Sequence, residues 1–156
     1  MSVLIAYFLA PDDSAAAVTI DWTGGPGQRP GNGAAATGYP VVDGPGIDPF
    51  IVLTEFEALL TGRSYEDQIA DPDWRPTVAE RDGGQQLVVD VGDRLVDALV
   101  GADEQRLAAL AGPWALIEDF WGNADPRELA EFLVELRGLA LRAQQERSGL
   151  YCWVCV

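Results

Sequence analysis

Apolar positions along the chain fall into two patterns, short unbroken runs near both ends and a three- to four-residue repeat between them. The runs at residues 2–9 and 150–156 predict buried strands, because they are short and are bounded by Pro11 and by Gly149. The repeat predicts amphipathic helices. This order predicts an α+β fold, in which a small central sheet includes the N- and C-terminal strands and packs against several amphipathic helices.

The clearest helical pattern covers residues 125–147. The segment Asp125-Pro126-Arg127-Glu128 supplies an N-cap, a proline in the first turn and a glutamate at the third helical position. Apolar residues follow at spacings of three and four, which places them on one face of the helix. We therefore expect Phe132, Leu133 and Leu136 to be buried against the two terminal strands.

Weaker helical patterns cover much of the remaining chain. Most begin at a residue that suits an N-cap, and several end at glycine. The predicted helices cover residues 12–18, 48–62, 64–69, 93–100 and 113–121, and one more begins at Asp103. The proline- and glycine-containing residues 70–85 predict a loop, whereas residues 86–91 fit either a short strand or the start of a helix.

Residues 23–46 have a different composition, since twelve of these 24 positions are Gly or Pro. The segments Gly24-Gly25-Pro26-Gly27 and Gly44-Pro45-Gly46 are typical of turns. We predict a flexible surface loop within a single α+β domain of 156 residues. The first of these segments lacks the spacing and the lysine of a phosphate-binding loop, and no cofactor is predicted.

The charge balance is strongly negative, with 25 carboxylates, ten basic residues and a formal net charge of −15. All ten basic residues are arginines. This balance disfavours binding to nucleic acids and to anionic membranes, because both attract positively charged surfaces. If the charge serves a partner, we expect that partner to be a basic protein.

Two features predict a cytoplasmic location. The N-terminal apolar run has no basic residues before it, so it reads as a strand and not as a signal peptide. Two cysteines, Cys152 and Cys155, are too few for a disulfide scaffold. They are three positions apart in a predicted strand and would point to opposite faces, so we expect both to be reduced and neither to bind a metal.

Missing residue types exclude several classes of chemistry. Because the chain has no histidine, it lacks the usual general base and the usual metal ligand. Because it has no lysine, Schiff-base chemistry and the lysine of phosphate-binding loops are excluded. Carboxylate chemistry, cysteine chemistry and hard-cation sites remain.

One group of carboxylates is a candidate contact surface for a basic partner. Asp90, Asp93 and Asp97 would form one stripe if all three lay on a helix, and Asp103 and Glu104 follow closely. Such a stripe could bind a hard cation, but no glycine-containing calcium loop accompanies it, so a solvated acidic face without metal is expected. Glu128, Glu131 and Glu135 form a second acidic stripe on the predicted C-terminal helix.

A second candidate site combines carboxylates with aromatic residues. Glu118 and Asp119 lie between Trp114 and Trp121, and aromatic walls are one means of raising the pKa of a catalytic carboxyl. The same residues also fit a plain apolar stripe with the acids facing outward. The pocket and the stripe remain alternatives at this stage.

The order of these parts resembles the bacterial family of unknown function typified by YfbM. The likeness rests on Tyr7-Phe8 in the first strand, on Ile47-Asp48 followed by a helix that ends in Leu59-Leu60-Thr61-Gly62, and on the final long helix and strand. Family members usually carry a lysine after the aspartate, where this chain has Pro49. The resemblance implies an α+β fold and no established biochemical activity.

These observations favour a non-enzymatic acidic binding protein, of immunity or regulatory type, whose partner is a basic protein. An immunity protein against a secreted toxin is one concrete form. The alternative is a carboxylate-based enzyme or a small-ligand-binding domain with a tryptophan-lined pocket. The sequence gives no indication of an oligomeric state.

Overall fold

The sheet joins both ends of the chain in the computed structural model, which describes residues 3–28 and 38–156. The strands of this described part are β1 (Leu4–Ala10), β2 (Val41–Asp43), β3 (Thr77–Arg81), β4 (Gln86–Asp90) and β5 (Gly149–Cys155). All neighbouring strands are antiparallel, in the order β2-β1-β5-β4-β3. The predicted α+β fold with both terminal strands in one sheet is confirmed.

Six α-helices occur in the described residues. They are α1 (Asp13–Val18), α2 (Val52–Thr61), α3 (Tyr65–Ile69), α4 (Asp93–Gly101), α5 (Glu104–Ala115) and α6 (Pro126–Glu146). The start signal of α6 is confirmed, because the Asp125 carboxylate accepts a 2.9 Å hydrogen bond from the backbone N–H of Arg127. Shorter 3₁₀ turns occupy Thr19–Asp21, Asp82–Gly84 and Glu118–Phe120.

The larger core lies between the sheet and helices α2, α4, α5 and α6. Phe132, Leu133 and Leu136 are buried in it as predicted, together with residues of β1 and β5. The ring of Phe132 meets the ring of Tyr7 edge to face, with centroids 5.5 Å apart. The hydroxyl of Tyr7 is also satisfied, since it donates a 2.6 Å hydrogen bond to the carbonyl of Ile47.

The two cysteines lie on opposite faces of β5. Cys152 is wholly buried in the larger core, and Cys155 is half-buried beside a smaller cluster on the other face of the sheet. Both thiols are free of disulfide bonds. The prediction that the strand alternation separates them is confirmed.

The predicted start of the second helix is correct in its chemistry and early in its position. Asp48 accepts hydrogen bonds from the backbone N–H groups of Phe50, at 2.9 Å, and of Ile51, at 2.7 Å. Regular helix begins only at Val52, after this turn. Gly62 ends the helix in the left-handed conformation, with φ of 79°, where the absence of a side chain avoids a steric penalty.

The flexible loop predicted at residues 23–46 is wrong in its last part, and residues 29–37 lie outside the described residues. Val41 and Val42 pair with Phe8 and Tyr7, so β2 forms one edge of the sheet. The rings of Trp22 and Tyr39 form a stacked pair next to this edge, with centroids 5.5 Å apart.

Two other predicted boundaries are also wrong. Residues 77–81 form strand β3 and not a loop, because they pair with β4 despite the neighbouring Pro76 and Gly83. Residues 113–121 do not form a separate helix. Pro113 lies inside the last turn of α5, and the N–H of Leu116 then bonds to the Pro113 carbonyl at 3.2 Å, a tight turn that ends the helix.

Candidate functional site

Several arginines bind main-chain carbonyls inside the fold. Arg106 donates a 2.8 Å hydrogen bond to the carbonyl of Leu60, near the end of α2. Arg137 donates to the carbonyls of Ala102, at 2.6 Å, and Leu99, at 3.1 Å, near the end of α4. The last carbonyls of a helix have no partner within it, so these guanidinium groups stabilise helix ends.

Few of the carboxylates are neutralised by arginine. Within residues 3–28 and 38–156, ion pairs join Arg63 to Asp71, Arg75 to Glu57, Arg81 to Asp21, Arg94 to Asp71, and Arg142 to Glu146. The arginines of this described part therefore pair with four of the 25 carboxylates. The negative charge of the chain consequently lies mainly on unpaired surface side chains.

The structure does not bring the first predicted acidic stripe onto one helix. Asp90 is the last residue of strand β4, and Gly92 turns the chain with φ of 96° before α4 begins. Asp93 and Asp97 do share an exposed face of α4, where Asp97 accepts a 2.8 Å hydrogen bond from Gln144. Of the two alternatives for residues 86–91, the strand is the one found, so the stripe on α4 keeps Asp93 and Asp97 and does not include Asp90.

Asp103 and Glu104 lie beyond the other end of α4. Both are exposed, and the Asp103 carboxylate caps α5 through a 2.8 Å hydrogen bond from the N–H of Arg106. The second stripe is placed as predicted, since Glu128, Glu131 and Glu135 are exposed on α6.

Asp90 and Asp93 instead help to line a charged cleft of about 420 Å³ between α2, the segment before β3, and the start of α4. Its charged lining consists of Glu57, Asp71, Asp73, Asp90 and Asp93 together with Arg63, Arg75 and Arg94. Ion pairs link Asp71 to two of these arginines and Glu57 to the third, so the arginines of the cleft are all paired.

Arg75 is a buried residue of the cleft lining, and its side chain links the elements around it. Its guanidinium donates hydrogen bonds to the Glu57 carboxylate at 2.8 Å, to the carbonyl of Pro49 at 3.0 Å and to the carbonyl of Val91. Both side chains of the ion pair are buried, with 4% and 5% of their surface exposed. Arg75 also has a left-handed backbone, with φ of 45°, an uncommon conformation for a residue other than glycine.

Asp90 has an unusual environment within the cleft. Burial is the main cause of its raised pKa, and the like charges of Asp13 and Asp93 add to the shift. A 2.9 Å hydrogen bond from the N–H of Gly92 favours the charged form and opposes the shift. Among the described residues, no group of three or more His, Cys, Asp or Glu side chains is arranged to hold a metal ion.

The tryptophan-lined pocket is not formed, because the structure separates its two aromatic walls. Trp114 is fully buried, and its indole N–H donates a 3.0 Å hydrogen bond to the carbonyl of Val52. Trp121 is 86% exposed, and Glu118 and Asp119 are exposed beside it. Trp114 is thus a core residue, whereas the other three residues share a surface.

We call this surface, formed by Leu116, Ile117, Glu118, Asp119, Trp121 and Gly122, the Trp121 patch. Leu116 and Trp121, at 85% and 86%, have the largest exposed fractions among the large apolar residues of the described chain. The segment that carries them is held by successive tight turns, in which the N–H of Ile117 bonds to Trp114 and the N–H of Trp121 bonds to Glu118. The exposed side chains therefore project from an ordered backbone.

Trp121 also adopts a left-handed backbone conformation, with φ of 54° and ψ of 28°. For a bulky aromatic residue this conformation is an outlier that costs roughly 1–2 kcal/mol. Phe120 fixes the turn on its inner side, because its ring packs edge to face on Trp114 with centroids 5.6 Å apart. The chain thus holds a strained and solvent-exposed tryptophan next to an aromatic pair in which Trp114 is buried and Phe120 is half-buried.

The charged residues that line the Trp121 patch in the described part of the chain are all acidic. Glu118 and Asp119 lie within the patch, and no arginine lines it among the described residues. A neighbouring groove of about 270 Å³ shares Asp119 and adds Asp125 and Glu128, again with no arginine in its described lining. The pKa of Glu55 on α2 is raised first by burial and then by the charge of Asp119, which places a further carboxylate nearby.

One feature of the sequence does point to the cleft. Glu57 is four residues after Leu53 and three before Leu60, so it occupies the apolar face of α2. A carboxylate in such a position indicates a buried partner. Arg75 carries no comparable signal, because it lies in an irregular segment without periodicity.

No helix in residues 3–28 and 38–156 combines the length and the apolar character that a membrane span requires. A scan against protein-family models and searches of curated proteins and of solved structures give no match to this chain.

Proposed function

We propose that this chain is an acidic, non-enzymatic binding protein whose partner is a basic protein. The observation that supports the proposal is the placement of the two kinds of charge. Arginines such as Arg75, Arg106 and Arg137 bond to main-chain carbonyls, while most carboxylates lie on the surface without an ion pair to the described arginines. The negative field is therefore directed outward, where it speeds the association of an oppositely charged protein.

Two acidic faces are available to such a partner. One is formed by Asp93 and Asp97 on α4 and continues to Asp103 and Glu104, and the other is the stripe of Glu128, Glu131 and Glu135 on α6. We further propose a cytoplasmic role of immunity or regulatory type, in which the acidic domain covers the basic surface of a toxin or an enzyme.

The test is capture of partners on the immobilised protein from a cytoplasmic extract, at about 50 mM and about 500 mM salt, a range over which the screening length falls to a few ångströms. We expect a basic protein that binds several-fold more weakly at high salt. A captured partner that is acidic, or one that binds equally at both salt concentrations, would refute the proposal.

Charge reversal locates the face. The double variant Asp93→Arg/Asp97→Arg tests the α4 face, and the double variant Glu131→Arg/Glu135→Arg tests the α6 stripe. The double variant Glu66→Arg/Glu80→Arg is the control, because it changes the net charge by the same amount at exposed positions outside both faces. One of the first two double variants should slow association well beyond the third, and equal effects of all three would mean that only net charge matters.

The charged cleft supports a second candidate function, the binding of a small polar ligand. The half-buried Asp90 and the buried Arg75–Glu57 pair are the kind of convergent polar groups that line ligand sites. Thermal shift in the presence of free amino acids and diamines tests this function. A ligand that binds the wild type and not the Asp90→Ala variant would support it.

A further inference from the structure

The Trp121 patch combines a highly exposed apolar surface with negative charge. Its apolar side chains, Leu116 and Trp121, are nearly fully exposed, and its charged side chains, Glu118 and Asp119, form no ion pair with an arginine of residues 3–28 and 38–156. By contrast, the arginines of the charged cleft are paired with its carboxylates. Unneutralised charge and exposed aromatic surface therefore coincide at residues 116–122.

The backbone conformation of Trp121 suggests that its exposed side chain has a role. A glycine at position 121 would adopt the left-handed conformation without strain, whereas the chain places there its largest type of side chain. Backbone outliers of this kind concentrate at functional sites. Tryptophan is also among the residue types enriched at positions that dominate protein–protein binding energy.

The charge of the patch restricts what can cover it. A second copy of this chain, with a net charge of −15, would be repelled. An anionic membrane would be repelled for the same reason, since the patch carries Glu118 and Asp119 and no arginine of the described chain lines it. A positively charged segment of another protein is attracted by both carboxylates, and its cation can lie on the face of the indole ring.

We infer that the Trp121 patch is the anchor point for an arginine-containing segment of the basic partner, with an apolar neighbour of that arginine packing on Leu116. This inference rests on the proposed function and specifies where and how the partner is held. Arginine suits the site better than lysine, because its planar guanidinium stacks on an aromatic ring and still donates to a carboxylate at its edge. The patch adjoins Glu128 of the α6 stripe through the groove that shares Asp119, so further basic residues would follow that side.

A synthetic peptide with an Arg-Leu-Arg core between Gly-Ser flanks is the probe. Each tryptophan indole N–H gives its own signal in ¹H–¹⁵N NMR spectra, and Trp121→Phe and Trp114→Phe variants assign the two that matter. We expect the peptide to move the Trp121 signal and to leave that of Trp114, which is buried and bonded to Val52, unchanged. A peptide with citrulline in place of arginine keeps the shape without the charge and should bind at least tenfold more weakly.

Two variants complete the test. Trp121→Ala should weaken peptide binding at least tenfold without unfolding the protein, because the removed ring is exposed. Val18→Ala removes an apolar side chain that is 55% exposed on α1 and should leave binding unchanged. If the peptide binds but Trp121→Ala has no effect, or if only signals of α4 move, the inference is wrong and the proposed function stands. If the peptide does not bind the wild type at low salt, the inference is also wrong. The proposed function is tested separately by the capture experiment, and it fails if no basic protein is captured.

Discussion

The guanidinium of Arg75 donates a 2.8 Å hydrogen bond to the carboxylate of Glu57 in an almost fully buried ion pair. The same guanidinium bonds to the carbonyls of Pro49 and Val91, so it ties the start of α2 to the segment between β4 and α4. Each charge is stabilised mainly by the other, because water is excluded from both. The pair therefore fixes the geometry of the charged cleft.

Replacement of Arg75 by methionine should lower the free energy of unfolding by about 3–5 kcal/mol, because Glu57 is left buried without its counter-charge. Replacement of both residues by methionine should cost clearly less than the sum of the two single changes. Urea titration of the two single variants and the double variant measures this coupling. Additive effects would show that the two charges do not depend on each other.

The Asp90→Asn variant should be more stable than the wild type at neutral pH. The folded state raises the pKa of Asp90, so ionisation is less favourable in the folded protein than in the unfolded chain. As the pH falls through the raised pKa, the carboxyl becomes protonated and this penalty disappears. The advantage of the asparagine should therefore shrink as the pH approaches about 4, the ordinary pKa of aspartate.

Urea titrations of this variant at several pH values test the sign. The asparagine oxygen can still accept the hydrogen bond from Gly92, so the change removes charge and keeps that contact. Glu80→Gln is the matched control, since Glu80 is exposed on β3 and its replacement should change stability by no more than about 0.5 kcal/mol. An advantage that grows in acid would contradict the assignment.

The parts of the fold that sequence patterns predicted are those with strong periodicity or clear end signals. The helix α6 and the strands β1 and β5 were placed within one or two residues, because each combines a long apolar pattern with a definite boundary. Strand β3 was missed, since it is an edge strand with no fully buried residue and therefore no alternation to detect.

The candidate site was harder to predict, because local sequence patterns do not show which residues come together in the tertiary structure. Asp93, Asp97, Asp103 and Glu104 are exposed, as a solvated acidic face requires, but Asp90 is half-buried, and the grouping of these residues depends on tertiary structure. Gly92 redirects the chain after Asp90, and the tight turn after Pro113 separates Trp114 from Trp121. Which of two tryptophans seven positions apart enters the core is decided by packing against Phe56 and Phe132, and these contacts leave no local signal.

Leu136→Ala should destabilise the protein by about 2–5 kcal/mol, because the wholly buried leucine packs between α6 and the sheet and its truncation leaves a cavity. The neighbouring Glu135→Ala variant removes an exposed side chain from the same helix and should change stability by less than about 0.5 kcal/mol. Denaturant titration compares the two. Equal effects would mean that the buried face of α6 is assigned incorrectly.

The thiol of Cys152 should resist alkylation in the native protein. It is fully buried, and burial raises its pKa, so little of the reactive thiolate forms at pH 8. The half-buried Cys155 should react faster with iodoacetamide, and both should react in denaturant. Mass spectrometry under non-reducing conditions should find no intramolecular bridge, and elemental analysis should find no stoichiometric zinc. Either finding would contradict the strand geometry of β5.

Replacement of Trp121 by glycine should stabilise the protein while it weakens binding. Position 121 has φ of 54°, where glycine avoids the steric penalty of a side chain, and the exposed indole contributes little packing to the folded state. We expect a gain of up to about 1 kcal/mol, since glycine recovers backbone strain but adds conformational freedom to the unfolded chain. Thermal melting and titration with the Arg-Leu-Arg peptide measure the two effects on the same sample. Trp121→Ala is the control, because it removes the ring and retains the strained Cβ, so it should weaken binding without the gain in stability. A glycine variant that is less stable than the alanine variant would show that the turn is not strained, and would leave the exposure of Trp121 as its only unusual property.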